Sequence, residues 1–180
     1  TRQGDYDLGY RLGEMALKLN DRLDNRAVAG PVHHIFAFFI QHWRKHIQDD
    51  LPVYWRACEL SMNAGDLMFA GHAITAAGET EIRICRRLDD VLEEVQRHRE
   101  FMDLLQDPLI TNQYQTLIRY ILALKGLTPQ RHDVSGNGFD MSAYIDRLRK
   151  EGNYFGLCFA LFNRAILLSW YGKYEEALEA

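Results

Sequence analysis

His42 and His46 stand four residues apart, with His33 and His34 one or two helical turns ahead of them. Two imidazoles at i and i+4 on a helix can share Zn2+ or another transition ion. A site needs a third ligand, however, and Trp43 follows His42 where an H-E-x-x-H motif would place its general base. The other chemistry-bearing residues are scattered. Arg83, Arg86 and Arg87 form one basic cluster and Arg44-Lys45 another, each interrupted by acidic neighbours, so no nucleic-acid contact is expected. Asp89-Asp90, Glu93-Glu94 and Glu175-Glu176 fall on charged helix faces without the apolar enclosure that raises a pKa. Cys58, Cys85 and Cys158 lie far apart, with no C-x-x-C, on apolar or small-residue faces. Three buried, inert thiols are expected, not a disulfide framework or a zinc knuckle. No G-x-x-x-x-G-K-[ST], H-R-D or D-F-G occurs. The expectation is a chain with no catalytic residue and no cofactor. A helical metal-binding protein using His42 and His46 stays open as an alternative.

Composition sets the surroundings of these residues. With 47% hydrophobic and 26% charged residues, the 180-residue chain has the balance of an ordinary globular domain. Its 21 Lys and Arg against 25 Asp and Glu, net -4, give no pull toward a polyanion. The apolar run Ile35 to Ile40 falls far short of the ~20 residues that span a bilayer, so no membrane is expected. Free, dispersed cysteines point to a reducing cytoplasm. The opening Thr1-Arg2-Gln3 and the close at Ala180 suggest a piece cut at both ends from a longer chain, residues 1–180 forming one domain.

Helical periodicity runs almost throughout, and no segment alternates long enough for a strand. A first helix to about Leu23 places Leu8, Leu12, Met15, Ala16 and Leu19 on one face, expected to be core. Gly9 and Gly13 each lower helix propensity by about 1 kcal/mol, which a close helix crossing would explain. Gly30-Pro31 starts or kinks the next helix, whose apolar stripe is Val32, Ile35, Phe36, Phe39, Ile40, Trp43 and Ile47. His34, Phe38, His42 and His46 fall on its opposite, polar side. Phe38 has no intramolecular reason to be there, so these four residues are the predicted partner surface.

Asp49-Asp50-Leu51-Pro52 marks another start, leading through Tyr54, Ala57, Cys58 and Ser61 toward Ala70, Ile74 and Ala77. Gly78 to Thr80 is expected to break the pattern before one long helix from about Glu81 to Leu105. Asp107-Pro108 begins a further helix that Gly126 closes, and Thr128 to Gly138 reads as a loop. A short helix near Asp140 to Lys150 leads to the turn Gly152-Asn153-Tyr154. The last stretch, Ala160 to Ala180, is a helix hairpin about Gly172. Ala165 and Ala177 would let its helices cross closely, with Leu161, Leu168 and Tyr174 filling the seam.

Gly4-Asp5-Tyr6 repeats the logic of Gly172-Lys173-Tyr174, and Gly65-Asp66-Leu67 with Ala70 gives a further match. The segment about Gly172 resembles a tetratricopeptide repeat, in which a turn glycine is followed by Tyr and then by a small Ala. The uneven glycine spacing implies a degenerate right-handed stack of antiparallel helix pairs, an all-α superhelix with Gly4, Gly65, Gly152 and Gly172 as structural turn residues. Taken with Gly9-Tyr10-Arg11-Leu12-Gly13, Ala16-Leu17-Lys18-Leu19 and Phe39 to His46, the chain resembles the helical-repeat region of large bacterial signalling proteins. These join a serine/threonine-kinase-like domain, a STAND-class AAA-type ATPase, a GAF domain and a sensor histidine kinase. The resemblance implies a non-catalytic scaffold for protein interaction and signal transmission, with another protein or the flanking domains of its own chain as partner. The alternative from the same resemblance is a ligand- or partner-sensing helical domain of a STAND-type transcriptional regulator.

Overall fold

A computed structural model describes residues 4–105, 107–136 and 138–179. Among the described residues the fold is all-α with no strand, and one isolated bridge pairs Gly136 with Phe139. The chain divides into two compact units, Thr1–Leu105 and Gln106–Ala180. The first holds α1 (Tyr6–Leu23), α2 (Arg26–Phe39), α3 (Asp50–Ala64), α4 (Leu67–Arg83), α5 (Leu88–Arg97) and α6 (Arg99–Leu104). Two short 3-10 turns, Gln41–Trp43 and Ile47–Asp49, join α2 to α3. In sequence order α1 packs on α2, α2 on α3, α3 on α4 and α4 on α5. The second unit holds α7 (Pro108–Leu124), α8 (Met141–Lys150), α9 (Tyr154–Trp170) and α10 (Tyr174–Leu178), with α9 packed against the other three. No described helix is long and apolar enough to cross a membrane.

One backbone turn recurs in both units. A residue with positive φ is followed at once by the N-cap of the next helix at Gly4–Asp5, Asp24–Asn25, Gly65–Asp66, Gly152–Asn153 and Gly172–Lys173. The capping residue repeats the same conformation, from φ -82, ψ 82 at Asp5 to φ -90, ψ 60 at Lys173. In the last four turns its N–H donates to the carbonyl five residues back, at 2.9 to 3.4 Å. This is the Schellman closure of a helix C-terminus. It leaves no spare residue before the next helix begins. Asp5, Asp66 and Asn153 also accept, through their side chains, from the N–H three residues ahead.

Asp24 is the member of this set that glycine spacing could not disclose. At φ 45 it occupies the left-handed region, which Asp tolerates less well than Gly. Its ion pair with Arg26, at 3.6 Å, is almost fully solvated and adds little. Asp24→Gly is therefore expected to stabilise the protein by about 0.5–1 kcal/mol in urea unfolding. Destabilisation would show that the Asp24 side chain holds the turn.

Small residues set the helix crossings, as expected for Gly13. A Cβ there would lie 2.6 Å from the Phe36 ring, so α1 and α2 meet where Gly13 leaves room. Gly30 does the same between α2 and α3, against Ser61. Pro31 sits inside α2, which starts at Arg26 and not at Gly30-Pro31.

Five expectations are corrected. Gly78 to Thr80 does not break the helix: α4 runs through it with all three residues buried, because tertiary packing outweighs one unfavourable glycine. The long helix to Leu105 is instead divided. Cys85 takes φ 59, Arg86 N–H closes onto Glu81 C=O at 3.1 Å, and α5 and α6 follow as separate helices. The supposed core face of α1, Leu8, Leu12, Met15 and Leu19, is exposed, because α2 packs against the Gly13 and Asn20 side, about a third of a turn away. Ile35, Phe39 and Trp43 are exposed for a similar reason: α1 and α3 take two sides of α2 and leave the third open. In the closing hairpin Leu168 is buried, but Tyr174 points to solvent.

Candidate interaction site

The predicted surface His34, Phe38, His42 and His46 does not form one helix face. α2 ends at Phe39, and His42 lies in the first 3-10 turn. Gln41, itself buried, donates from Nε2 to the Asp49 carbonyl at 2.7 Å and ties the connection back on itself. With no Gly or Pro between Phe39 and Leu51, nothing in the sequence announces this end.

The four residues have separate roles. His34 is 8% exposed, its ring 5.6 Å from Phe38, 5.8 Å from Tyr54, 5.7 Å from Phe69 and 5.9 Å from His72. Burial, and secondarily His72, lower its pKa to about 4, so the imidazole is neutral at pH 7. Phe38 is half-buried against the Ala37, Tyr54, Ala76 and Ala77 core. His42 places Nδ1 3.2 Å from the Ala37 carbonyl and 4.0 Å from Asp50 Oδ2. His46 is exposed and caps the second 3-10 turn, its Nδ1 accepting from Gln48 N–H at 3.1 Å. The Nδ1 atoms of His42 and His46 are thus already engaged. Among the described residues no three His, Cys, Asp or Glu side chains converge as metal ligands. Cys58 is buried, whereas Cys85 and Cys158 are exposed, correcting the expectation of three buried thiols.

Chemistry is instead concentrated in carboxylates buried around α3 and α4. Asp50 is 1% exposed, and burial raises its pKa to about 6 against the partial opposition of His42 and Gln41. Glu79 is driven up to about 7 by burial despite Arg83 at 3.2 Å. Glu81 is raised in the same direction although it accepts from Arg86. One oxygen of each of these carboxyls is buried with no hydrogen-bond partner among the described residues. Such groups store electrostatic strain in the folded state. The readable signal was a carboxylate set among Ala76, Ala77, Gly78, Thr80 and Ile82, with an Arg four or five residues on. The arginine cluster is thereby half explained, since Arg83 and Arg86 serve Glu79 and Glu81.

Gly4, Gly65, Gly152 and Gly172 all have positive φ, and the last three lie between consecutive helices. A polar cleft opens near the α1–α2 turn and the end of α3, lined in part by Asn20, Asn25, Arg56 and Asn63. Its cations are already matched, Arg26 to Asp24 and Arg56 to Glu59. The apolar side chains of α1 and α2 are the larger open feature: Leu8, Leu12, Met15, Leu19 and Leu23 on one helix, Val28, Ile35 and Phe39 on the other. Compared with family models, with curated proteins and with solved structures, the chain matches none.

Proposed function

We propose that this chain is a non-catalytic helical-repeat scaffold, a degenerate tetratricopeptide-like stack that contacts protein partners or flanking modules of its own polypeptide. In the setting that the sequence resemblance implies, those modules belong to a large bacterial signalling ATPase or kinase. The observation that supports this reading is the recurrence of one two-residue hairpin turn in both units, Asp24–Asn25, Gly65–Asp66, Gly152–Asn153 and Gly172–Lys173. Each of these turns joins two helices that pack on each other, α1 on α2, α3 on α4, α8 on α9 and α9 on α10. Such stacks carry strain from one pair to its neighbour and present long surfaces.

The test places Met15→Glu in the native protein within its own cells and reads crosslinks from Lys18 together with the phosphorylation output. Loss of the crosslinks and a several-fold change in output are expected. If both are unaltered, the scaffold reading fails.

A further inference from the structure

We propose that the connection between α2 and α3, residues 40–49, is a proton-operated latch. It lies closed over Asp50 while that carboxyl is neutral, and it lifts when Asp50 ionises without a protonated His42 beside it. The latch is independent of the scaffold reading, and either can fail alone.

The connection is two 3-10 turns held by short-range bonds. Trp43 N–H donates to Ile40 C=O at 3.3 Å, and Arg44 and Lys45 N–H to Gln41 C=O at 3.0 and 2.9 Å. Asp49 N–H donates to His46 C=O at 2.9 Å, and Gln41 Nε2 to the Asp49 carbonyl at 2.7 Å draws the two turns together. Hydrogen-bond geometry in such turns is poorer than in an α-helix, so they open locally at low cost.

Asp50 is the group that this connection encloses. It is the first residue of α3 and 1% exposed, yet its Oδ1 has no hydrogen-bond partner among the described residues. A buried carboxylate is stable when several donors meet it. The cation-forming group beside it is His42, whose Nδ1 lies 4.0 Å from Asp50 Oδ2, beyond hydrogen-bond reach. The same Nδ1 is 3.2 Å from the Ala37 carbonyl in the last turn of α2. His42 therefore bridges the end of one helix and the start of the next.

The remaining groups around Asp50 give a negative charge little support. Asp49 adds like charge from the connection, and Gln41 offers a neutral amide. Tyr54 of α3 faces Asp50 with a phenol that Glu79 and Arg83 of α4 also approach. His34 of α2 packs against that same Tyr54 and is neutral at pH 7. On the α1 side Tyr10 feels Asp49, and His46 is engaged with Gln48 N–H.

Burial raises Asp50 to about 6, so below that pH the carboxyl is neutral and stays enclosed. Imidazoles ordinarily shed their proton just above it. At higher pH the enclosed carboxylate has neither a charged partner nor water, and lifting the connection supplies water. The movement reaches α1, because Arg44 pairs with Asp7 at 2.6 Å and Trp43 stacks on Tyr6 at 5.0 Å.

Hydrogen exchange of the native chain, corrected for the intrinsic dependence of exchange on pH, reads the latch at Trp43, Arg44, Lys45 and Asp49 N–H. With Asp50 at about 6 when enclosed and at its ordinary 3.8 when open, protection there is expected to fall about tenfold between pH 5 and pH 8. Asp50→Asn cannot ionise and should hold protection constant over that range. His42→Arg should do the same by supplying a permanent cation, at a side chain that is 30% exposed. It decides the question if Asp50→Asn does not fold. Glu79→Gln should leave the tenfold fall in place, which separates the latch from the pH dependence of the whole fold.

Constant protection in the native chain, or a fall that persists in either folded Asp50→Asn or His42→Arg, overturns the proposal. So does a fall that vanishes in Glu79→Gln or that is shared equally by α3 and α4, because the opening would then be global unfolding.

Discussion

Gly30→Ala is expected to destabilise the first unit by about 2–3 kcal/mol, the cost of overpacking a close helix crossing. An alanine Cβ would lie 1.9 Å from Ser61 Oγ, and 2.9 Å from both Ser61 Cβ and its backbone nitrogen. The hydroxyl could rotate aside, but the Cβ and nitrogen cannot move unless α3 shifts as a whole. Ser61 is fully buried at this crossing, so no solvent-filled space exists for relaxation. Urea unfolding gives the loss, and a double-mutant cycle identifies its cause. Ser61→Gly, although itself destabilising in a helix, should recover about 1 kcal/mol of the Gly30→Ala loss by removing the Cβ contact. A neutral Gly30→Ala, or a strictly additive double variant, would show that the α2–α3 crossing is looser than these distances describe.

Stability is expected to fall as pH rises from about 4 to 8, the reverse of ordinary acid denaturation. Asp50 rises from its usual 3.8 to about 6, and Glu79 from 4.5 to about 7. Between each pair of values the folded chain holds a proton that the unfolded chain has released. That stabilisation is complete below the unfolded pKa and is lost as pH climbs through the folded one. Glu81 acts in the same direction. His34 opposes them: its folded pKa of about 4 lies below the usual 6.5, so its contribution grows with pH over that interval.

Asp50 and Glu79 against one imidazole leave a net loss of about 1 kcal/mol per pH unit near pH 5, and near pH 7 Glu79 dominates. The charges facing these groups are included: His42, Asp49 and Tyr54 around Asp50, and Arg83 and Tyr54 around Glu79. Glu79→Gln keeps the shape and removes the buried charge. It should stabilise the protein by about 1–3 kcal/mol at pH 8, change little at pH 4, and flatten the profile between. Arg83 retains solvent when its partner becomes neutral, being 42% exposed at the side chain. Stability rising steadily with pH, or a Glu79→Gln protein weaker at pH 8, would contradict this account.

The elements were legible where local chemistry decides them. Gly4, Gly65, Gly152 and Gly172 announce their turns because positive φ favours a residue without Cβ, and Asp107-Pro108 and Asp140 announce helix starts because their side chains cap exposed N–H groups. The path of apolar residues through Ala70, Ile74 and Ala77 of α4 also followed from spacing, and all three are buried.

Which apolar face is covered is a different kind of question. Leu8 to Leu19 is the most regular stripe of α1, yet α2 packs against Gly13, because a glycine permits an approach that leucines prevent. The interaction site misread from the sequence has the same origin: His34 entered the core and Phe39 was left outside once α2 had been shared between α1 and α3. By itself the sequence determined that this protein is helical, where most helices begin and end, and which of their faces are apolar, since propensity, capping and periodicity are local. Only the tertiary structure decided which apolar faces meet, which carboxylates are buried and which stripe stays open, because these depend on how closely two backbones can approach.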